Sequence, residues 1–213
     1  INWSYCVSNG YLVFIPDVVF RKGEPGASSY DAVVSGVKSL IDRYDFIDKD
    51  RIALNGHSWG GYQIAFLVTR TNMFKAAVSG APVVNMTSAY GGIRWESGKS
   101  RMFQYEQTQS RIGGTLWDKP AEFIRNSPLF FLPQVQTPVL IMHNDKDGSV
   151  MWEQGIEFFM ALRRLDKPVW LFNYKGEGHH LKKWENRLDY SRRVMEFYDY
   201  YLKDGKKPEW MKS

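Results

Sequence analysis

Gly56-His57-Ser58-Trp59-Gly60-Gly61-Tyr62 sets a serine inside a cluster of glycines, between an apolar run and a helical pattern. A hydroxyl becomes a nucleophile when it is exposed, held in place and relieved of its proton, and a tight strand-to-helix turn supplies the first two conditions. Such a turn brings the residues two before and two after the serine into contact, which favours glycine at positions 56 and 60. It also aims the first N–H groups of the following helix at the space above Ser58. The Trp59 N–H is therefore the candidate donor to a developing oxyanion.

The third condition calls for a base, and the base for a carboxylate. Val139-Leu140-Ile141-Met142 reads as a buried parallel strand and empties into a loop holding Asp145 and Asp147. Val169-Trp170-Leu171-Phe172 is a second such run and empties into a loop holding His179 and His180. Open α/β sheets gather reactive groups at the carboxyl ends of their strands. Serine, then acid, then histidine is the chain order of an α/β-hydrolase. Residue types and spacing leave both aspartates and both histidines eligible.

The elements that must hold these loops are legible as apolar runs. Strands are expected at 11–15, 51–55, 76–79, 139–142 and 169–172. Helical spacing separates them: Val33, Val37, Leu40 and Ile41 behind a Ser28/Ser29 cap, then Ile156, Phe159, Met160 and Leu162, then Leu188, Val194, Phe197 and Tyr201. Strands alternating with helices predict an α/β fold, a mostly parallel sheet with helices on both faces. The segment 90–126 is too long for a plain connection and is expected to form helices over the site. With 213 residues the chain is long enough for one domain, 1–213, with a substantial core.

Net charge is +5, with lysines and arginines scattered except at 203–207, which reads as solvated surface rather than a nucleic-acid footprint. No apolar run reaches the length of a membrane span. The single cysteine, Cys6, forms no intrachain disulfide and is expected to pack. His57 and His143 read as a neighbour of the nucleophile and a packed strand end.

Five motifs in this order resemble the catalytic domain of the prolyl oligopeptidase family of serine peptidases. They are Gly-His-Ser-Trp-Gly-Gly-Tyr at 56–62, Asn-Ser-Pro-Leu at 126–129, Thr-Pro-Val-Leu-Ile-Met-His at 137–143, Asp-Gly-Ser-Val at 147–150 and Gly-Glu-Gly-His at 176–179. The resemblance implies an α/β-hydrolase fold and a triad of Ser58, Asp147 and His179, in preference to Asp145 and His180. It implies a substrate pocket lined by Val83 and Met86, oligopeptide substrates, and no metal or cofactor; Trp59 and Tyr62, beside the nucleophile, are expected to add aromatic walls to that pocket. It further implies earlier strands and an amino-terminal propeller that this sequence does not display, so the chain is expected to be a carboxyl-terminal part of a longer peptidase. An uncovered sheet edge would then favour a homo-oligomer. Two other functions share these features: a carboxylesterase, separable by its preference for esters over anilides, and a non-catalytic binding domain, which has no need of an intact triad.

Overall fold

Short β-branched and aliphatic runs flanked by turn residues become strands, and amphipathic repeats become the helices that cover them. The computed structural model describes residues 2–212. Its elements in chain order are helices α1 (Trp3–Ser8) and α2 (Pro25–Arg43), strand β1 (Ala53–His57), α3 (Trp59–Val68), β2 (Ala76–Gly80), α4 (Met86–Tyr90), β3 (Ile93–Arg94), β4 (Lys99–Ser100), α5 (Met102–Glu106), α6 (Pro120–Arg125), β5 (Val139–Met142), α7 (Trp152–Arg164), β6 (Val169–Phe172) and α8 (Trp184–Leu202).

The main sheet runs β1-β2-β5-β6, all parallel. Its register aligns His57 with Gly80, Gly80 with Met142 and Met142 with Phe172, so the loops after all four strands open on one edge. Alternation along the strands divides the interior. Leu54, Ala77, Val139 and Ile141 face one way, packing with Val34 and Val37 of α2, Ile64 and Leu67 of α3, and Phe158 and Leu162 of α7. Ala76, Val78 and Leu140 face the other way, against Val194, Phe197, Tyr198 and Leu202 of α8. Each of the valine, leucine, isoleucine and phenylalanine side chains, taken fully from water, contributes about 1.5–3 kcal/mol. The Tyr198 hydroxyl donates to the Leu54 carbonyl at 3.2 Å and ties α8 to the strand that leads into Ser58. Among the described residues no helix is long and apolar enough to cross a membrane.

Three expectations change. Residues 11–15 pair with no strand among the described residues, and Leu12 and Ile15 lie 69% and 62% exposed. An apolar run becomes a strand only beside a hydrogen-bonding partner, and here Tyr11 instead packs on Tyr198 while its hydroxyl donates to Asp199 at 2.6 Å. Helix α2 begins earlier than the Ser28/Ser29 cap, with Glu24 at the cap and Pro25 in the first turn, where proline's fixed φ suits helix entry. Ser28 and Ser29 lie inside it, their hydroxyls donating back to the carbonyls of Glu24 and Pro25. Segment 90–126 is helical only in α5 and α6; β3 and β4 form a two-stranded antiparallel hairpin between α4 and α5.

Candidate active site

The turn from β1 into α3 places Ser58 at φ 60°, ψ −117°, a conformation that L-residues rarely adopt and that costs about 1–3 kcal/mol. Two kinds of contact hold it there. Ser58 N–H donates to the Gly80 carbonyl at 2.8 Å, stapling the turn to β2. Glycines let the backbones close: a Cβ on Gly56 would lie 2.3 Å from the Gly60 carbonyl oxygen, and one on Gly61 would lie 2.2 Å from the Gly80 carbonyl oxygen. Gly60 contributes its carbonyl to that contact, but its own Cβ would meet nothing nearer than 4.0 Å. The demand for glycine therefore falls on positions 56 and 61, not on 56 and 60. Trp59 opens α3, where backbone N–H groups have no intrahelical acceptor.

Ser58, Asp147 and His179 arrive from the loops after β1, β5 and β6 and meet above the sheet edge. His179 Nε2 lies 2.8 Å from Ser58 Oγ, and His179 Nδ1 lies 2.7 Å from Asp147 Oδ2. The backbone N–H groups of Ser149 and Val150 each donate to Asp147 Oδ1 at 2.8 Å. Burial favours the neutral acid, but donation by His143, His179 and the Val150 N–H outweighs it and holds the Asp147 carboxyl well below the usual range. An ionised carboxylate fixes the tautomer of His179: Nδ1 carries the hydrogen and Nε2 presents a lone pair to the serine hydroxyl. Asp145 points elsewhere and accepts from the Gly176 N–H at 2.7 Å. His180 makes no hydrogen bond among the described residues.

His143 is more than a packed strand end. Fully buried, it places Nε2 3.1 Å from the Val150 carbonyl and 3.2 Å from Asp147 Oδ2. Both neighbours are acceptors, so Nε2 carries the hydrogen and the ring is a second donor to the carboxylate that orients His179. Its Nδ1 faces Gly155, where a Cβ would sit 2.5 Å away. The signal was present as a histidine four residues before Asp147, but a sequence does not show a loop curling back on its own start. His57 lies beside the site, its ring centroid 4.9 Å from that of His179. Burial, with the nearby imidazoles of His179 and His180, pushes its pKa down to about 4, so it is neutral at neutral pH. Burial likewise lowers that of His180.

The model of the prolyl oligopeptidase family matches residues 2–205. The chain belongs to the prolyl oligopeptidase family. Among relatives in this family of serine peptidases, the uncharacterized peptidase YuxL of Bacillus subtilis is 31% identical over 166 residues, covering 76% of this chain and 23% of its own length. The acylamino-acid-releasing enzyme of Rattus norvegicus is 28% identical over 169 residues, covering 78% and 22%. The chain thus spans about a quarter of the length of these relatives. The Pyrococcus horikoshii acylaminoacyl peptidase superposes with a TM-score of 0.77 at 20% identity, over 90% of this chain and 30% of that one. A shared α/β-hydrolase fold accounts for that likeness.

The family resemblance points to Val83 and Met86 as pocket residues and nearness to the nucleophile adds Tyr62; the structure brings all three together in one cluster with Val150, against which Trp59 packs. Trp59 stacks on Tyr62 with centroids 4.5 Å apart. Tyr62, Val83 and Met86 are closed off from solvent, at 0%, 4% and 0% exposure, so they form a packed floor rather than an open cleft. The Tyr62 hydroxyl and Trp59 Nε1 lack partners within that floor, among the described residues.

Glu177, inside the Gly-Glu-Gly-His motif of the family, was not singled out by its sequence. It is buried, and accepts from the Lys182 N–H at 2.8 Å, the Lys183 N–H at 3.0 Å and the Asn186 side chain at 2.7 Å. Burial opposes its charge, but these donors win and hold its carboxyl below the usual range. The carboxylate thereby pins the loop carrying His179 to the start of α8. Glu177→Ala leaves these donors without their acceptor and is expected to cost about 2 kcal/mol in urea unfolding; a loss within about 0.5 kcal/mol, the size of an ordinary surface change, would contradict this role.

Proposed function

We propose that this chain carries the reacting centre of a serine peptidase that hydrolyses peptide bonds of oligopeptides through an acyl-enzyme. The observation that supports it is the unbroken hydrogen-bonded line Ser58–His179–Asp147, at 2.8 and 2.7 Å. As Ser58 Oγ bonds to the substrate carbonyl carbon, its proton passes to His179 Nε2, and the imidazolium formed is stabilised by the Asp147 carboxylate. The carbonyl oxygen becomes an oxyanion that accepts from the Trp59 N–H. Breaking the C–N bond sends the proton from His179 Nε2 to the leaving amine. Water then attacks the acyl carbon, gives its proton to His179, and the Oγ–C bond breaks as the proton returns to Ser58. Tyr62, Val83 and Met86 floor the pocket for the residue before the cleaved bond, and substrate entry requires side-chain movement there.

The deciding experiment is labelling with a fluorophosphonate, which reacts with activated serines, followed by peptide mapping. Modification confined to Ser58 and abolished in Ser58→Ala is the expected result. Labelling that persists in Ser58→Ala, or is absent from the native chain, would overturn the assignment. Cleavage of peptide anilides is expected of the native, unlabelled protein; turnover of small esters alone would favour a carboxylesterase.

A further inference from the structure

The site holds more imidazole than the proposed reaction uses. The rings of His57, His179 and His180 form a nearly equilateral triangle, with centroids 4.9, 4.9 and 4.8 Å apart. One nitrogen from each lies within 4.8 Å of the other two. His57 Nε2 is buried with no hydrogen-bond partner among the described residues, a state that buried polar atoms rarely hold without an unseen ligand or water. His180 is exposed and makes no hydrogen bond among the described residues, so its ring is free to turn inwards.

We propose that His57, His179 and His180 form an inhibitory site for a divalent transition-metal ion of the zinc type. Imidazole is a preferred ligand of such ions, with Zn–N bonds of about 2.0–2.1 Å. Tetrahedral binding then sets neighbouring nitrogens about 3.4 Å apart. The triangle must therefore close by no more than about 1.4 Å, within reach of a rotamer change at His180 and small shifts of the other two rings.

Asp147 makes His179 a good ligand for the same reason that it makes a good base. A metal-bound histidine almost always donates its other ring N–H to a carboxylate or carbonyl, and His179 Nδ1 already donates to Asp147 at 2.7 Å. The ion would take the Nε2 lone pair that otherwise accepts the Ser58 proton. Water or Ser58 Oγ completes a four-coordinate shell. Metal binding and serine activation are then mutually exclusive, because both need one lone pair.

The binding half of this inference stands independently of the proposed reaction, while the inhibitory half rests on it; the test separates them. Cu2+, taken as a spectroscopic probe of the site, is titrated into the protein and into His180→Ala and His57→Gln, and the electron paramagnetic resonance spectrum is read for nitrogen coupling. One ion with coupling to three imidazoles is expected in the native protein. One nitrogen fewer, and a metal requirement raised by about tenfold or more, is expected in His180→Ala. In parallel, fluorophosphonate labelling is compared with and without Zn2+ in each protein, and that ratio cancels any change in basal reactivity. Micromolar Zn2+ should suppress labelling of the native protein, EDTA should restore it, and His180→Ala should resist. A Cu2+ spectrum unchanged in His180→Ala, or binding only at millimolar metal, would overturn the site. Metal binding without loss of labelling would overturn the inhibition. Should none of the three proteins label, the reaction assignment fails, and the Cu2+ spectrum still decides the site.

Discussion

Asp147→Asn is expected to slow acylation of Ser58 by about ten-thousandfold while leaving the fold intact. The asparagine oxygen can still accept from the N–H groups of Ser149 and Val150, each 2.8 Å from Asp147 Oδ1, so the loop keeps its shape. Its NH2 group would then occupy the place of Oδ2, facing His179 Nδ1 and His143 Nε2. His143 cannot relieve the conflict, since its Nε2 hydrogen also points at the Val150 carbonyl. His179 must therefore move its hydrogen to Nε2 to accept from the amide, which removes the lone pair from the serine. The second-order rate constant for fluorophosphonate labelling measures this directly, with circular dichroism as the check on folding. A loss under about tenfold would mean that His179 works without its carboxylate.

The same carboxylate fixes a direction in pH. The folded pKa of Asp147 is depressed, so the stability it contributes is fully present above the ordinary aspartate value of about 3.9. That stability is lost as pH falls through the depressed folded value. The Asp147→Asn variant should lack this part of the acid dependence.

Gly56→Ala carries the second large expected effect. Its Cβ would stand 2.3 Å from the Gly60 oxygen, 2.5 Å from the Gly60 carbonyl carbon and 2.9 Å from Ile64 Cγ1. Two of these atoms are backbone in the first turn of α3, so relief means moving the helix away from β1. Overpacking of this kind costs about 1–3 kcal/mol, and here the displaced backbone also carries Ser58, so labelling should fall sharply along with stability in urea. Gly60→Ala is the control. Its Cβ would meet only the Gln63 side-chain oxygen, at 4.0 Å and without a clash, among the described residues, and stability within about 0.5 kcal/mol of the native protein is expected. Equal damage from both substitutions would refute the assignment of the close approach to Gly56.

Strands β5 and β6 were legible because each is an unbroken apolar run, fully buried in β5 and half-buried in β6 at the edge of the parallel sheet, and both fall at the residues expected, 139–142 and 169–172. The serine turn was legible because its backbone needs glycine. Residues 11–15 have the same apolar texture as a strand, yet texture does not specify a pairing partner. The β3–β4 hairpin escaped notice for the opposite reason: Ile93-Arg94 and Lys99-Ser100 are too short and too polar to show alternation. The choice between His179 and His180 rested on family resemblance alone, since adjacent histidines differ only in where the loop points them. His143 was invisible as a donor because its partner lies on a loop that must first fold.

Ser58 and the imidazole beside it lie 121 positions apart in the chain. A polypeptide emerging from a ribosome presents Ser58 long before His179 has been translated, and domains fold largely as units once their distant segments are available. The hydroxyl then stays an ordinary alcohol until His179 has emerged. On the proposed reaction, activation of Ser58 must wait until the loop after β6, which carries His179, has folded beside it.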